Sequence, residues 1–208
     1  MEITESAIEK NDKFNSILEA AQKRFGLYGV EKTSMREIAD DISMSKAALY
    51  YYFPDKESLY KSVIKKELDE FLKKIGERLQ KPGDPGLLLK EYAITRISSF
   101  RKLVNISRLR LESYSNLKPV LRDTINNFRD KEKEIIKSLL EKGISEGIFE
   151  PIDTEKNAFL FLDLLKCLSV ASINSKNSLF IEEEEYSELC DKTNAFTDLF
   201  IRGIGIRK

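Results

Sequence analysis

Apolar residues recur along most of this chain at the 3.6-residue spacing of an α-helix, and strand-like alternation is nearly absent. Phe14, Ile17, Leu18, Ala21 and Phe25 form one helical stripe, which Gly26 and Gly29 end. The run Ser34-Met35-Arg36-Glu37 has the form of a capping box and predicts a short helix over 35–41. Ser45 can cap a second short helix over 46–52. Pro54 then breaks the chain, and Asp55 caps a long helix over 56–79. Two Pro and two Gly within Lys81–Gly86 mark a linker. Beyond it the pattern predicts helices over 87–103, 105–116 and 119–146, the last ended by Gly143 and Gly147. Asp153 or Thr154 starts a helix to about 174. A polar stretch over 174–178 leads to a final helix over 183–201. The expected fold is all-α: a small N-terminal bundle with a helix-turn-helix, followed by a larger helical bundle.

Composition narrows the chemistry. The chain has 208 residues, enough for one large domain or a small one joined to a larger one. With no His, a Ser-His-Asp triad, a Cys-His pair and a His-ligated metal are all excluded. The two cysteines, Cys167 and Cys190, are too few and too far apart for a Cys-rich zinc site. No phosphate-binding Gly-rich loop is present, and no cofactor is implied. No apolar run approaches the roughly 20 residues of a membrane helix, and the acidic start is unlike a secretory signal. The expectation is a non-enzymatic cytoplasmic protein.

The informative segment is 34–53. Two short helices flank a tight turn, Ile42-Ser43-Met44, with Ile38, Ile42, Met44 and Leu49 apolar and Ala39 small where helices must cross. That arrangement lets the second helix lie in a DNA major groove while the first crosses the backbone. The second helix carries Lys46 and no acid. Ala47 and Ala48 permit close approach to base edges, and the hydroxyls of Tyr50, Tyr51 and Tyr52 can donate to phosphates. Three consecutive tyrosines cannot share one helix face, so at least one is expected to pack inward.

Ile17–Phe25, Gly29, Thr33–Ala39, Ser45–Phe53 and Asp55–Leu59 together resemble the N-terminal domain of the TetR family of bacterial transcriptional regulators. The element Leu49-Tyr50-x-Tyr52-Phe53-x-x-Lys56 is its most specific part. The resemblance implies a DNA-binding domain over 1–56 and an effector-binding and dimerisation domain over 57–208. It places Ser45, Lys46, Ala47, Ala48, Tyr50 and Tyr51 at bases or backbone, Thr33, Ser34 and Arg36 near phosphates or a base, and Lys56 on a phosphate. Ser43 stands where the family usually has Gly, and positive φ there would cost a non-Gly residue about 1–2 kcal/mol. Residues 1–56 hold eight Lys/Arg against ten Asp/Glu, so any basic footprint must come from local arrangement.

The helix from Ala158 to Ile173 is apolar nearly all round, which predicts burial on every side: domain core on one face, a subunit interface on the other. Helices 154–174 and 183–201 are the expected homodimer surface, as the resemblance also implies. Two-fold symmetry would then set two recognition helices about 34–36 Å apart on a near-palindromic double-stranded operator. An unidentified small-molecule effector is expected among the middle helices. Candidate polar groups are Asn105, Arg108, Arg110, Glu112, Tyr114, Asn126 and Asn127; Phe100, Phe128, Phe149, Phe159 and Phe161 are candidate apolar lining, though aromatics at helical spacing are more often core. The reading is a dimeric regulator, a repressor released by its ligand. A helical carrier or scaffold that keeps the fold without specific DNA binding is the alternative.

Overall fold

A computed structural model describes residues 5–107, 111–172 and 180–206. These form eight helices: α1 (Glu5–Tyr28), α2 (Met35–Asp41), α3 (Lys46–Tyr52), α4 (Lys56–Leu79), α5 (Pro85–Ser107), α6 (Leu111–Ser145), α7 (Thr154–Ala171) and α8 (Glu183–Ile204). An isolated antiparallel bridge, Phe149 to Gly205, ties the end of α8 to the segment after α6.

The small helices are bounded where local chemistry says they should be. Ser34 accepts from the Glu37 backbone at 3.3 Å while Glu37 accepts from the Ser34 backbone at 2.8 Å, closing the expected box. Ser45 accepts from Ala48 N at 3.1 Å, and Asp55 from Ser58 N at 2.7 Å. Gly29 takes φ 85° after α1, its N–H donating to Phe25 O. After α2 the left-handed residue is Ser43, at φ 52°. Ser43 N donates to Asp40 O and Met44 N to Ala39 O, the two bonds of a Schellman ending. The turn keeps the geometry for which glycine is suited.

The larger bundle departs from the expected boundaries. α5 begins at Pro85, with Asp84 accepting from Leu87 N at 2.9 Å, because proline suits the first helical position. It runs unbroken through the expected stop at 104, where Leu103 and Val104 pack on the N-terminal core. The expected break at 117–118 is also absent: α6 continues through Pro119, although interior proline costs about 3 kcal/mol. Gly143 does not end α6. A Cβ there would sit 2.0 Å from the Phe149 ring, so glycine is required for close approach. Gly147, at φ 68°, is the residue that turns the chain. Helix α7 closes at Ala171 with Ser172 as its cap; the expected last residues 173–174 and the polar stretch 174–178 lie outside the described residues.

Two hydrophobic cores result. The first joins Ile17, Ala21, Phe25, Ile38, Leu49 and Phe53 to Leu59, Val63, Ile64 and Leu68 of α4, and Leu121 of α6. The second runs from Phe71 and Ile75 of α4 through Leu89, Tyr92, Ile136, Phe149, Phe161 and Leu165. Helix α4 belongs to both, so the expected boundary at 56/57 opens an element that the two parts share. Within the second core, buried Glu132 accepts from Tyr92 Oη and from Arg96 Nε at 2.6 Å. Burial, with Glu132 beside it, pushes the Tyr92 hydroxyl well above its ordinary value.

Helix α7 buries one face only. Ala158, Phe161, Leu162, Leu165 and Ser169 point inward, whereas Phe159 and Leu160 are half exposed and Leu164 and Val170 are also open. On α8, Leu199 is 68% exposed, while Phe196 and Phe200 close on the Phe161 ring. The expected burial on every side is therefore not met within a single chain.

Candidate nucleic-acid interface

Helix α3 is held to the core by Leu49, its one fully buried residue, with Tyr52 half buried behind it. Lys46, Ala47, Tyr50 and Tyr51 follow at i, i+1, i+4 and i+5, share a face and are exposed; Ala48 is half buried. No acid lies on this helix. The Lys46 ammonium stands 5.6 Å from the Tyr50 ring centroid, and Lys10 of α1 stands 5.7 Å from that of Tyr51. A positive, acid-free helix with small residues at its start fits the roughly 12 Å width of a B-DNA major groove.

Two open grooves border this helix. One, of about 580 Å³, is lined by Lys13, Ser16, Ile42, Ser43, Met44, Ala48, Tyr51 and Tyr52. The other, of about 470 Å³, is of mixed charge, with Lys32, Thr33, Ser34, Tyr50 and Lys56 alongside Glu31, Asp55 and Glu57. Lys10, Lys13 and Lys32 are exposed cations beside α3 that pattern reading did not single out. The available signal was Lys10 one turn before Phe14 in line with the α1 stripe, with Lys13 at the edge of that stripe.

The other expected site residues divide. Ser34 is exposed at the start of α2, its hydroxyl already engaged with Glu37. Arg36 is open to solvent, with Asp40 nearby at 3.9 Å. Thr33 is buried, and its hydroxyl donates to Gly29 O at 2.8 Å. Lys56 turns its ammonium inward to Val30 O at 2.9 Å and Thr33 O at 3.1 Å. Thr33 and Lys56 thus shape the loop before α2, while Arg36, Lys46, Tyr50 and Tyr51 face outward. Arg24 locks α1 onto α2 through Asp41 at 2.6 Å and Glu37 at 3.2 Å. The Arg24 guanidinium holds the Asp41 carboxyl below its usual range; bonds from Ser34 do the same for Glu37.

Among the described residues, the candidate effector groups do not converge. Asn105 clamps the segment before α8, accepting from Ile181 N at 2.8 Å and donating to Ile181 O at 3.1 Å. Phe149 and Phe161 are fully buried core, and Phe159 points out of the bundle. Asn127 and Phe128 do line a groove of about 230 Å³ between α4 and α6, with Leu68, Leu72, Lys65 and Lys131. Asn126 is exposed outside it, and the side chains of Arg108, Arg110, Glu112 and Tyr114 lie outside the described residues.

A recognition helix seated on a three-helix head, joined by a shared helix to a larger all-α bundle, defines a helix-turn-helix DNA-binding regulator. Residues 17–63 match the family described as bacterial regulatory proteins, tetR family. The crystal structure of a transcriptional regulator from Cytophaga hutchinsonii ATCC 33406 superposes with a TM-score of 0.86 at 36% identity, covering 93% of this chain and 99% of that one. The uncharacterized HTH-type transcriptional regulator YhgD of Bacillus subtilis (strain 168) is 29% identical over 154 residues, 74% of this chain and 80% of that protein. The fold is also that of the transcriptional regulator FadR from Bacillus subtilis in complex with stearoyl-CoA, with a TM-score of 0.64 at 19% identity, covering 92% of this chain and 99% of that chain. The chain belongs to the TetR family of bacterial transcriptional regulators.

Proposed function

We propose that this regulator is a homodimeric repressor that holds a near-palindromic operator and releases it when a small molecule enters the larger bundle. The observation that carries this is the exposed, acid-free face of α3. In this reading Lys46, Ala47 and Ala48 meet base edges, and Ser45, Tyr50, Tyr51 and Arg36 meet bases or phosphates. Thr33, Ser34 and Lys56 hold the approach to the backbone, the last two by ordering the start of α2 and the loop before it. Residues 1–56 act as the reading head and 57–208 as the effector and dimerisation part, with α4 as the lever between them.

Dimerisation is supported by the apolar surface that one chain leaves open, Phe159, Leu160, Leu164 and Val170 of α7 with Leu199 of α8. An apolar patch of this kind on a bundle marks an association surface. The effector reading is supported by the shared fold with the FadR regulator, whose structure holds stearoyl-CoA. Release would need a coupling of about 1–3 kcal/mol between effector and operator sites.

The first test is selection of fragments of the source genome by the purified protein near physiological salt, where nonspecific binding fades. Enrichment of a few near-palindromic sites is expected. Lys46→Ala should relax base preference there by about 1–3 kcal/mol. Selection no better than for bulk DNA would sink the reading.

A further inference from the structure

Midway along α4, one carboxylate sits where the two cores meet. Glu67 is 3% exposed, between Ile64 and Leu68 of the first core and Phe71 of the second. One oxygen accepts from the Gln22 side-chain amide of α1. The other lies 2.6 Å from the Lys102 ammonium of α5, which also stands 3.8 Å from Glu70. A single buried anion is thus held by the head on one side and by the larger bundle on the other. The neighbouring Lys66–Glu19 pair also joins α4 to α1, but at 3.4 Å with Glu19 69% exposed it is screened by solvent.

Apolar helix contacts are non-directional, so packed helices can slide past one another by small steps. A charge-assisted hydrogen bond is short and directional, and a buried carboxylate stripped of its cation is costly. A shift of α5 by about 1–2 Å, the scale of helix movements in switching proteins, would break the Lys102 contact unless α4 followed. Gln22 would then carry α1, and with it α3.

We propose that Glu67 is a positioning residue that fixes the angle between the DNA-binding head and the larger bundle, passing movement of α5 to α1 through Lys102 and Gln22. The proposal rests on the dimeric-operator reading above. It assigns Glu67 no contact with DNA or effector. Its consequence is that the spacing of the two recognition helices, rather than the strength of each half-site contact, depends on this carboxylate.

The test uses the full chain and the operator it selects. Binding is measured to that operator, to versions with one base pair inserted or removed at its centre, and to a single half-site. In the unaltered protein the spacing change should weaken binding about a hundredfold, within the range of ordinary couplings. Glu67→Gln keeps the shape and the Gln22 bond but removes the charge; Lys102→Met removes the cation from a half-exposed position. Both should cut the spacing penalty to about tenfold or less, with half-site affinity unchanged. Exchange of the two charges, Glu67→Lys with Lys102→Glu, should restore it. A full spacing penalty in Lys102→Met and in folded Glu67→Gln would overturn the proposal, as would equal losses on the half-site. If the unaltered protein selects no operator, the regulator reading fails first and separately, and the proposal goes with it.

Discussion

The reading head and the larger bundle are both helical, yet their helices are bounded by different physics. In the head, side chains within a few residues start α2, α3 and the shared α4: Ser34 with Glu37, Ser45 with Ala48, Asp55 with Ser58. In the bundle, Asp84 and Asp153 still cap the starts of α5 and α7, but partners far away in the chain hold the helix interiors and far ends. Asn105 reaches Ile181, Gly143 admits the Phe149 ring, and Glu132 gathers Tyr92 and Arg96. Seven-residue helices have no margin for fraying, so their ends are fixed locally. Helices of 23 and 35 residues have ends set by what they meet.

If that contrast is right, the largest stability effects should come from the bundle at sites that no short motif marks. Glu132→Leu leaves Arg96 and Tyr92 without their buried acceptor and should cost about 3–5 kcal/mol, read by denaturant unfolding. A loss below about 1 kcal/mol would mean the cluster is solvated in solution. Next, Gly143→Ala should destabilise by about 1–3 kcal/mol because the ring of Phe149 must move, even though alanine is the better helix former. Gly143→Ala paired with Phe149→Leu should recover part of that loss; a single substitution that stabilises would refute the close approach.

In the head the expected effects are smaller. Ser43→Gly relieves a left-handed non-glycine residue and should raise the melting temperature, by up to about 1 kcal/mol of stability, without altering operator preference. A lowered melting temperature would show that the Ser43 side chain holds the turn. The smallest effect is a pH dependence of the Arg24 clamp. Because Asp41 and Glu37 titrate below their unfolded values, their contribution is fully present above the ordinary carboxylate range of about 4 and is lost as pH falls through the lowered values. The melting difference between the unaltered chain and Arg24→Met should therefore hold from about pH 7 to 5 and vanish toward about pH 2. A difference that persists in acid would assign the effect to the Arg24 guanidinium over the Tyr28 ring rather than to the two carboxylates.

The same contrast explains how much could be read in advance. Helices α2, α3 and α4 begin where serine and aspartate caps place them, and the outward face of α3 follows from Leu49 alone being buried. Lys56, an expected phosphate contact, shows what local pattern leaves out. Its position at a helix start was legible, but its ammonium turns to carbonyls 23 and 26 residues away, which no local pattern announces. Asn105, a candidate effector group by its place among the middle helices, instead clasps Ile181 across the bundle. Proline at 119 looked like a boundary, and the helix passes through it.

By itself the sequence determined the all-α class, the capped helix-turn-helix and the acid-free second helix; the family entered through resemblance of its motifs. The first three follow from periodicity, caps and short-range spacing, which act within one or two turns of chain. Only the tertiary structure decided that α4 serves two cores, that Glu67 links head to bundle, and that α7 leaves an apolar face open. Such features depend on which residues meet across 40 to 80 positions, and contact at that range is set by packing of whole helices rather than by any local preference.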